Sequence, residues 1–478
     1  MRKLFASLFL SLAMIMVLAA CASEEASPVP PAAPPSPVAP PSPTYTPAPQ
    51  ATVDNDVPRT PQTIVMWHSM SGDNGIMFES LVREFNDTIG AELSITVDSV
   101  FQGTYAESMA QLRPLLNTNN VGALPDISQI DAGGMMDIKA SPHLARAQYL
   151  LSFDPGYDIS QIHQVMLNNL TYQGQLLGMP FASSVVVLYY NRDMFREAGI
   201  AAPPSTLAEM AAIIPSLTQH NADGSVAVYG FAHSPATPTV QNWIGQQNTI
   251  SFTVDQNNGR SGDPTRAVFD ENGTMAVLLT EWQNLFATGG LRHIEGNTNE
   301  EFVAGNVAMK IASSAGIAPR LRAIDNRFEL GIGFFPRVNE DASYGANIGG
   351  AGLFVFDKND HDRAMAAWEV LKFMASAEVQ ARWGASTGYL PVNISSADYD
   401  VYIQNLENQP QFMVPYQQLL VTNPDLQGIW VPASFQVFTE LRNGIIAMLE
   451  DGESVESAVS RLANNTNQIL TDWHDANR

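Results

Sequence analysis

Residues 180–199 have the sequence PFASSVVVLYYNRDMFREAG, and this stretch decides the fold class. The run of apolar and aromatic residues at 185–190 is typical of a buried strand. Residues 192–198 then predict a helix that stops at Gly199. Small polar residues precede the strand. A buried strand that leads directly into a helix is the repeating unit of an α/β protein.

The same alternation occurs earlier in the chain. Residues 63–67 form a short apolar run, residues 76–85 carry apolar side chains at helical spacing, and residues 91–100 alternate as a strand does. Later segments extend the pattern: strands are predicted at 330–335 and 352–356, and long amphipathic helices at 362–383 and 455–473. The sequence therefore predicts an α/β body.

Chain length and net charge limit the domain organisation and the class of partner. A chain of 478 residues exceeds what one core usually holds, so two domains or lobes are expected. Hydrophobic residues make up 45%, which excludes wholesale disorder. The net charge of −24 excludes a nucleic-acid partner, since binding polyphosphate needs clustered Lys and Arg. A local pocket can still override this mean field and bind an anion.

The N-terminus has the layout of a secretory signal peptide. Arg2 and Lys3 precede an apolar run at 4–20, and Cys21, the single cysteine, follows directly. The sequence Leu18-Ala19-Ala20-Cys21 resembles the bacterial lipobox, which implies cleavage after residue 20, lipidation of Cys21 and a membrane anchor. The alternative is an uncleaved membrane-spanning helix. One cysteine permits no internal disulfide.

Residues 21–61 differ from the rest of the chain in composition. Residues 22–61 contain 13 of the 31 prolines and almost no large apolar side chains. We predict a semi-rigid tether with extended polyproline geometry. The alternative is a proline-rich recognition segment for another protein.

The usual catalytic signatures are missing. The chain contains no GxSxG, Walker A, GxGxxG or HExxH motif. Neighbouring carboxylates such as Glu300 and Glu301 fit a solvated face better than an acid/base pair. We expect a protein that is not an enzyme and needs neither a cofactor nor a metal ion.

Aromatic and small polar residues recur at predicted strand ends and turns. They are Trp67-His68-Ser69, Gly103-Thr104-Tyr105, Pro180 to Ser184, Ala312-Ser313-Ser314, Gly349-Gly350 and Thr387-Gly388-Tyr389-Leu390-Pro391. Ligands of open α/β sheets bind beyond the carboxyl ends of strands, so these residues are the candidate site. Aromatic faces combined with hydroxyl and backbone N–H groups suit a polyhydroxylated molecule.

Taken in order, these motifs resemble the extracellular solute-binding proteins of bacterial ABC importers. Within that family they are similar to the glycerol-3-phosphate-binding branch of the maltose-binding type. Further matching stretches are Trp67-His68-Ser69-Met70, Met135-Met136, Leu188-Tyr189-Tyr190-Asn191 and Ile348-Gly349-Gly350-Ala351. The resemblance covers residue 62 to the C-terminus.

The resemblance implies a two-lobed α/β fold of the periplasmic-binding-protein-like type II, with a hinge of about three strands that closes over a ligand. It places crossings near 181–185, 349–353 and Pro391. Lobe 1 would then hold residues 62–182 and 353–390, and lobe 2 residues 183–352 and 391–478.

The resemblance also implies ligand-contacting positions. These are Tyr105, Ser184, one of Ser313 or Ser314, one of Gly349 or Gly350, and Tyr389. Asp131 falls where the family has a carboxylate that binds ligand hydroxyls. Trp67 and His68 match the framework of the family's pocket.

One stretch departs from the family. Relatives hold the phosphate with an arginine ahead of the last helices, whereas Gly428-Ile429-Trp430-Val431-Pro432 contains no basic residue and places Trp430 there. Losing a charge-assisted contact of about 1.5–3 kcal/mol argues against glycerol phosphate. An aromatic ring suits a sugar, an oligosaccharide or a choline-like head group. Arg320 or Arg322 could restore the positive charge.

We therefore expect a lipid-anchored, monomeric substrate-binding protein. It would capture a sugar, polyol or glycerophosphodiester outside the cytoplasm and deliver it to ABC permease subunits. A secreted glycan-acting enzyme, with Asp131 and a second acid as its carboxylate pair, is the rival from another class. A surface adhesion or signalling module with a vestigial cleft is the third possibility.

Overall fold

The computed structural model describes residues 60–477, apart from 117–119, 234, 236, 248–252, 294–297 and 424–425. Residues Thr52–Arg478 form one compact unit. The expected signal peptide, Cys21 and nearly all of the expected tether lie outside the described residues. Among the described helices, none combines the length and apolar character needed to cross a membrane.

The described residues form fourteen strands. They are β1 (Gln62–His68), β2 (Ile95–Phe101), β3 (Ile127–Asp131), β4 (Leu144–Ala145), β5 (Thr171–Tyr172), β6 (Gln175–Leu176), β7 (Met179–Ser184), β8 (Val186–Asn191), β9 (Gln219–His220), β10 (Val226–Ala232), β11 (Leu291–Arg292), β12 (Val307–Ser313), β13 (Leu330–Gly333) and β14 (Gly349–Phe356).

The same residues form nineteen α-helices, besides short 3-10 turns. They are α1 (Gly72–Asp87), α2 (Ile89–Leu93), α3 (Tyr105–Leu116), α4 (Met135–Ile138), α5 (Ala147–Ser152), α6 (Gln164–Asn169), α7 (Arg192–Glu197), α8 (Leu207–Leu217), α9 (Thr237–Gly245), α10 (Asp255–Gly259), α11 (Thr274–Ala287), α12 (Asn299–Ala304), α13 (Ile317–Ile324), α14 (His361–Met374), α15 (Ala377–Thr387), α16 (Asp400–Asn408), α17 (Met413–Val421), α18 (Ser434–Asp451) and α19 (Val455–Ala476).

Two sheets divide this body into two lobes. The sheet of lobe 1 has the order β2-β1-β3-β14-β4, with β7 also paired to β14. The sheet of lobe 2 has the order β11-β10-β12-β8-β13, with β9 also paired to β10. In lobe 1, β1, β2 and β3 are parallel, and in lobe 2, β10, β11 and β12 are parallel. Each lobe therefore gathers several strand carboxyl ends at one edge.

Most of the predicted elements are confirmed. Residues 185–190 correspond to β8, and residues 455–473 lie within α19. The helix expected at 362–383 is two helices, α14 and α15, because Ser376 adopts an extended backbone conformation between them. The strand expected from residue 91 begins at Ile95, because a short helix, α2, precedes it and ends at Ser94 in the left-handed conformation.

Each lobe has its own buried apolar cluster. Lobe 1 centres on Phe78 and Phe85 of α1, together with Trp368 of α14. Lobe 2 centres on Trp243 and Trp282. These ring systems are fully buried. The lobe 1 cluster also includes Val187 and Tyr189 of β8, so apolar packing continues from lobe 1 into the lobe 2 sheet beside the hinge.

The first connection between the lobes is a single residue. Val185 separates β7, which pairs with β14 in lobe 1, from β8, which pairs with β12 in lobe 2. Ser314 clamps this crossing, because its backbone N–H donates to Val185 O at 2.8 Å and its Oγ accepts from Val185 N at 3.4 Å. Leu390 N donates to Ser183 O on the other side, at 2.7 Å.

The other two connections lie elsewhere than the sequence predicts. All of β14, from Gly349, hydrogen-bonds within the lobe 1 sheet, so this crossing precedes residue 349. After Pro391 the chain still packs on lobe 1, because α16 lies against α15. The third connection runs through α17, where Gln418 Nε2 donates to Val186 O at 2.9 Å.

Gly350 generates a stability prediction at the hinge. Its φ is +89°, and a Cβ there would lie 1.8 Å from Ala182 O. Gly224 also has a positive φ, +86°, but has open space around it, so Gly224→Ala adds only the backbone strain of a left-handed alanine. We expect Gly350→Ala to lower the free energy of unfolding by roughly 2 kcal/mol more than Gly224→Ala, because it also adds a steric clash. Urea unfolding of both variants measures the difference. Equal losses would show that the strand pairing adjusts to the extra methyl.

Candidate functional site: the cleft between the lobes

Asp131 ends β3 at the cleft edge of lobe 1. Its Oδ1 accepts from Gly133 N at 3.1 Å and so caps the turn that follows the strand. Burial raises the pKa of the Asp131 carboxyl to about 6, although backbone N–H groups of Gly133 and Gly134 oppose the shift. The carboxylate is a strong hydrogen-bond acceptor placed where water is scarce.

Two tyrosines lie beside this carboxyl. Burial raises the pKa of the Tyr105 phenol well above its usual value, and the neighbouring Tyr389 and Asp131 raise it further. Burial also raises the pKa of Tyr389 to about 12. The structure thus brings Tyr105 of α3, Asp131 of β3 and Tyr389, which follows α15, into one group.

The hydroxyl of Tyr105 makes no hydrogen bond of normal geometry within the described part of the chain, although it is fully buried. Its neighbour Tyr389 is held by its ring, which stacks on Trp383 at 5.3 Å, and Trp383 stacks on Phe181 at 5.0 Å. A buried hydroxyl without a partner costs free energy that a ligand hydroxyl can recover.

The hinge strands bring three further predicted residues to this place. Gly349 pairs with Ser184, and Gly350 pairs with Ser183. Asp131 pairs with Ala351 on the other side of β14, so Asp131 and the two glycines share one region of the sheet. A Cβ on Gly349 would lie 3.7 Å from Ser184 Oγ, which places this hydroxyl against the glycine.

The structure gives Ser313 and Ser314 different roles. Ser314 is fully buried and its Oγ is used by Val185 N, so its hydroxyl holds the crossing. Ser313 is half-buried, and its Oγ accepts from Ala315 N at 3.2 Å to cap the turn. Of the two, Ser313 is the better placed to reach a solute.

Trp67 and His68 lie deeper in lobe 1. Trp67 pairs with Ser128, three positions before Asp131 on β3. His68 is buried, stacks on Phe78 at 4.4 Å, and has its Nε2 3.1 Å from Glu79 Oε1. Desolvation lowers the pKa of His68, and Glu79 opposes this shift. Both residues lie at the carboxyl end of β1, the strand beside β3.

Trp430 approaches from lobe 2 and is fully buried. Its ring stacks on Tyr172 of lobe 1 at 5.7 Å, and the Arg260 guanidinium lies 4.6 Å from its centre. The indole Nε1 is buried without a hydrogen-bond partner within the described residues. A guanidinium already occupies the cation–π position that the sequence suggested for a choline-like group.

Sequence reasoning missed Arg260. Its guanidinium donates to Asn169 O at 3.2 Å and to Asn169 Oδ1 at 3.1 Å, and its Nε donates to Gly428 O at 2.8 Å. Burial lowers its pKa to about 9. In the sequence, only the Asn258-Gly259 turn before Arg260 marks this position. A turn motif does not indicate that the next side chain contacts the other lobe.

The two lobes are in contact around this group. Polar pairs that connect them include Lys139 with Asp263, Arg260 with Asn169, Ser434 Oγ with Gly133 O at 3.1 Å, and Arg322 Nε with Asp73 at 2.9 Å. The molecule therefore has the closed arrangement, in which side chains of both lobes surround the cleft.

Two cavities are lined by residues other than Tyr105, Asp131 and Tyr389. One of about 460 Å³ lies between the lobes, with Gly133 and Met136 on one side and Val431 and Ser434 on the other. It also touches Arg113 and Leu116, at the end of α3 opposite Tyr105, so it is distinct from this group. A second, of about 490 Å³, lies beside His68 and Phe101 in lobe 1.

The geometry suits binding of hydroxyl-rich molecules. Tyr105, Asp131 and Tyr389 bring one carboxylate and two phenols together, which are donors and acceptors that a polyol can use. Among the described residues, no group of three His, Asp or Glu side chains is arranged to hold a metal ion.

Comparison with known proteins agrees with this picture. Residues 80–412 match the family of bacterial extracellular solute-binding proteins. The chain is similar to the sn-glycerol-3-phosphate-binding periplasmic protein UgpB of Yersinia enterocolitica, with 28% identity over 403 residues, 77% of this chain and 87% of that protein. It is also similar to UgpB of Escherichia coli K12, with 29% identity over 352 residues, 71% of this chain and 76% of that one.

Solved structures show the same fold. UgpB of Mycobacterium tuberculosis in complex with glycerophosphocholine superposes with a TM-score of 0.69 at 19% identity, over 87% of this chain and 99% of that one. The cyclic α-maltosyl-1,6-maltose binding protein of Arthrobacter globiformis also gives 0.69, at 20% identity, over 86% of this chain and 100% of that one.

The raised pKa of Asp131 predicts a pH dependence of stability. The folded value of about 6 exceeds the unfolded value of about 3.9, so the folded protein holds this proton more tightly and loses stability as pH rises from about 4 to about 6. Asp131→Asn retains a side-chain oxygen that can cap the turn, and its amide does not titrate. The free energy of unfolding of this variant minus that of wild type should therefore increase by about 1–3 kcal/mol as the pH rises from about 4 to about 6.

Urea unfolding at pH 4, 5, 6 and 7 measures this difference. Asp98→Asn, at an exposed position on the neighbouring strand β2, controls for the loss of one carboxylate. Parallel pH profiles for wild type and Asp131→Asn would contradict the prediction.

Proposed function

Because the chain belongs to the family of bacterial extracellular solute-binding proteins, we propose that it captures a sugar, polyol or glycerol-phosphate-type solute outside the cytoplasm and delivers it to an ABC permease. The observation that carries the proposal is the buried hydroxyl of Tyr105, which lies beside the Asp131 carboxyl and the Tyr389 hydroxyl and makes no well-formed hydrogen bond within the described residues. Such a group at the cleft between two lobes is an incomplete hydrogen-bond network, and a ligand hydroxyl completes it.

Lobe closure follows from where these groups lie. Tyr105, Asp131 and Tyr389 belong to lobe 1, whereas Ser313 and Trp430 come from lobe 2. A solute touches both sets only when the lobes close, so its binding energy shifts the population toward the closed form. A permease that contacts both lobes then recognises the liganded protein.

The proposal also includes a lipid anchor, a tether and a function without catalysis. Cys21 would be lipidated after removal of residues 1–20, and residues 21–61 would hold a monomeric folded body away from the membrane surface. The family and the names of its relatives describe binding proteins, which supports a function without catalysis. Incubation with glycans tests the enzymatic alternative, because a carrier returns its ligand intact.

The solute class is open to direct measurement. Native mass spectrometry of freshly purified protein identifies a co-purified molecule. Calorimetry with sn-glycerol 3-phosphate, glycerophosphocholine, glycerol and maltose then gives affinities, and small-angle scattering reports closure. If no molecule of this kind bound or changed the scattering profile, solute capture would be rejected and a surface module favoured.

Tyr105→Phe separates binding from stability. The hydroxyl that it removes has no partner among the described residues, so the unliganded variant should be as stable as wild type or more so. Its affinity for the cognate solute should fall about three- to tenfold, which corresponds to one lost hydrogen bond.

Tyr149→Phe is the matched control, since this lobe 1 tyrosine is 44% exposed and packs on Phe153. Calorimetry and thermal unfolding of both variants give the two quantities. Unchanged affinity of Tyr105→Phe would remove this hydroxyl from the site.

A further inference from the structure

Lobe 2 contains two cations that share one neutral acceptor. Lys310 of β12 donates its Nζ to Asn299 Oδ1. Arg320 of α13 donates to the same oxygen through Nε, at 2.9 Å, and through Nη2. Neither cation forms an ion pair with a carboxylate of the described residues, although twelve other lysines and arginines do. They are Arg113, Lys139, Arg192, Arg196, Arg266, Arg292, Arg322, Lys358, Arg363, Lys372, Arg382 and Arg461.

Lys310 is buried at a high electrostatic cost, and Arg320 beside it is half-buried. Lys310 is 2% exposed, and burial together with the charge of Arg320 lowers its pKa to about 6. Buried charges in proteins are normally accompanied by an opposite charge, because desolvation of an unpaired ion is expensive. No carboxylate of the described residues offsets this positive charge, so a bound anion would supply the opposite charge and favour the protonated form of Lys310.

The guanidinium is held in a defined orientation. It lies 4.6 Å from the centre of the Tyr189 ring, and its Nη1 donates to Tyr189 OH at 3.5 Å. A Cβ on Gly316 would lie 1.3 Å from Nη1, so the glycine permits the guanidinium to lie against the turn that follows β12. The side chain is positioned by packing rather than by an ion pair.

This position adjoins the cleft. Tyr189 OH donates to Ser313 O at 2.6 Å, and Ser313 and Ser314 lead into the clamp on Val185. Lys310 pairs with Ala232 at the carboxyl end of β10, the edge where the parallel strands of lobe 2 end. Arg320 and Asn299 are half-buried, so part of the cluster is in contact with solvent.

We propose that Lys310 and Arg320 together bind a phosphate group of the solute. The inference rests on the proposed function and specifies the lobe 2 half of the same site. An ammonium and a guanidinium retain several N–H donors beyond those that Asn299 uses, and a guanidinium matches the geometry of phosphate oxygens. The neutral His233, 2.9 Å from Thr239 Oγ1, borders the pair without adding charge.

The test uses the full mature chain and calorimetry with sn-glycerol 3-phosphate, orthophosphate and glycerol. Lys310→Met and Arg320→Gln should each weaken binding of glycerol 3-phosphate at least tenfold, and Arg320→Lys should retain part of it. Arg442→Gln, which removes a charge elsewhere in lobe 2 where Arg442 contacts Asn443, should bind like wild type. The affinity for glycerol should be the same in all variants.

Orthophosphate distinguishes the two sources of the anion. If it binds wild type and the two variants lose it, the site accepts free phosphate as well as a phosphate ester. If wild type binds glycerol 3-phosphate but not orthophosphate, and the two variants no longer bind glycerol 3-phosphate, the site requires a phosphate that is attached to the solute. Both results support the proposal.

Stability separates binding from a structural role. Lys310→Met replaces a desolvated ammonium by a side chain of similar volume, so the unliganded Tm should be equal or higher. A lower Tm with unchanged affinity for glycerol 3-phosphate would identify a structural pair and overturn the proposal. Wild type that binds and closes on maltose but binds neither phosphate probe would overturn this inference and leave solute capture standing.

Discussion

The clamp on Val185 is the constraint on which the rest of the architecture depends. One residue separates a strand of the lobe 1 sheet from a strand of the lobe 2 sheet, and both its N–H and its C=O bond to Ser314. A connection this short cannot let the lobes drift apart, so it keeps the cleft edges of both sheets close together. The residues that gather at those edges, from Asp131 to Ser313, are near neighbours for this reason.

Polar groups at the cleft are left incomplete on both sides. In lobe 1, Tyr105 contributes a buried hydroxyl that makes no well-formed hydrogen bond, and in lobe 2, Lys310 and Arg320 form no ion pair, in each case within the part of the chain that the structure describes. In a protein that only needed stability, such groups would be replaced by apolar ones. Their presence within two well-packed lobes indicates that a ligand completes them. The cluster of Lys310 and Arg320 also gives a chain with a net charge of −24 a local concentration of basic side chains, which the proposed phosphate site requires.

Much of the fold and part of the site were predictable from sequence. The strands at 63–67 and 185–190 and the helices at 76–85 and 455–473 follow from apolar periodicity alone, because each buries one face against its own lobe. The break between α14 and α15 was not predictable, since both helices continue the same apolar pattern across Ser376. The crossing before Gly349 was also misplaced by a few residues, because a strand's sequence does not state which of two sheets it joins.

The sequence by itself determined the α/β class, the two-lobed family and the identities of Tyr105, Asp131 and Tyr389 as candidate residues, because these depend on local patterns and on motifs in a fixed order. Only the tertiary structure decided that Ser314 serves the hinge, that Arg260 covers Trp430, and that Lys310 and Arg320 share Asn299. Those facts depend on contacts between residues from ten to more than 150 positions apart, and such contacts are set by how the lobes pack rather than by any local pattern.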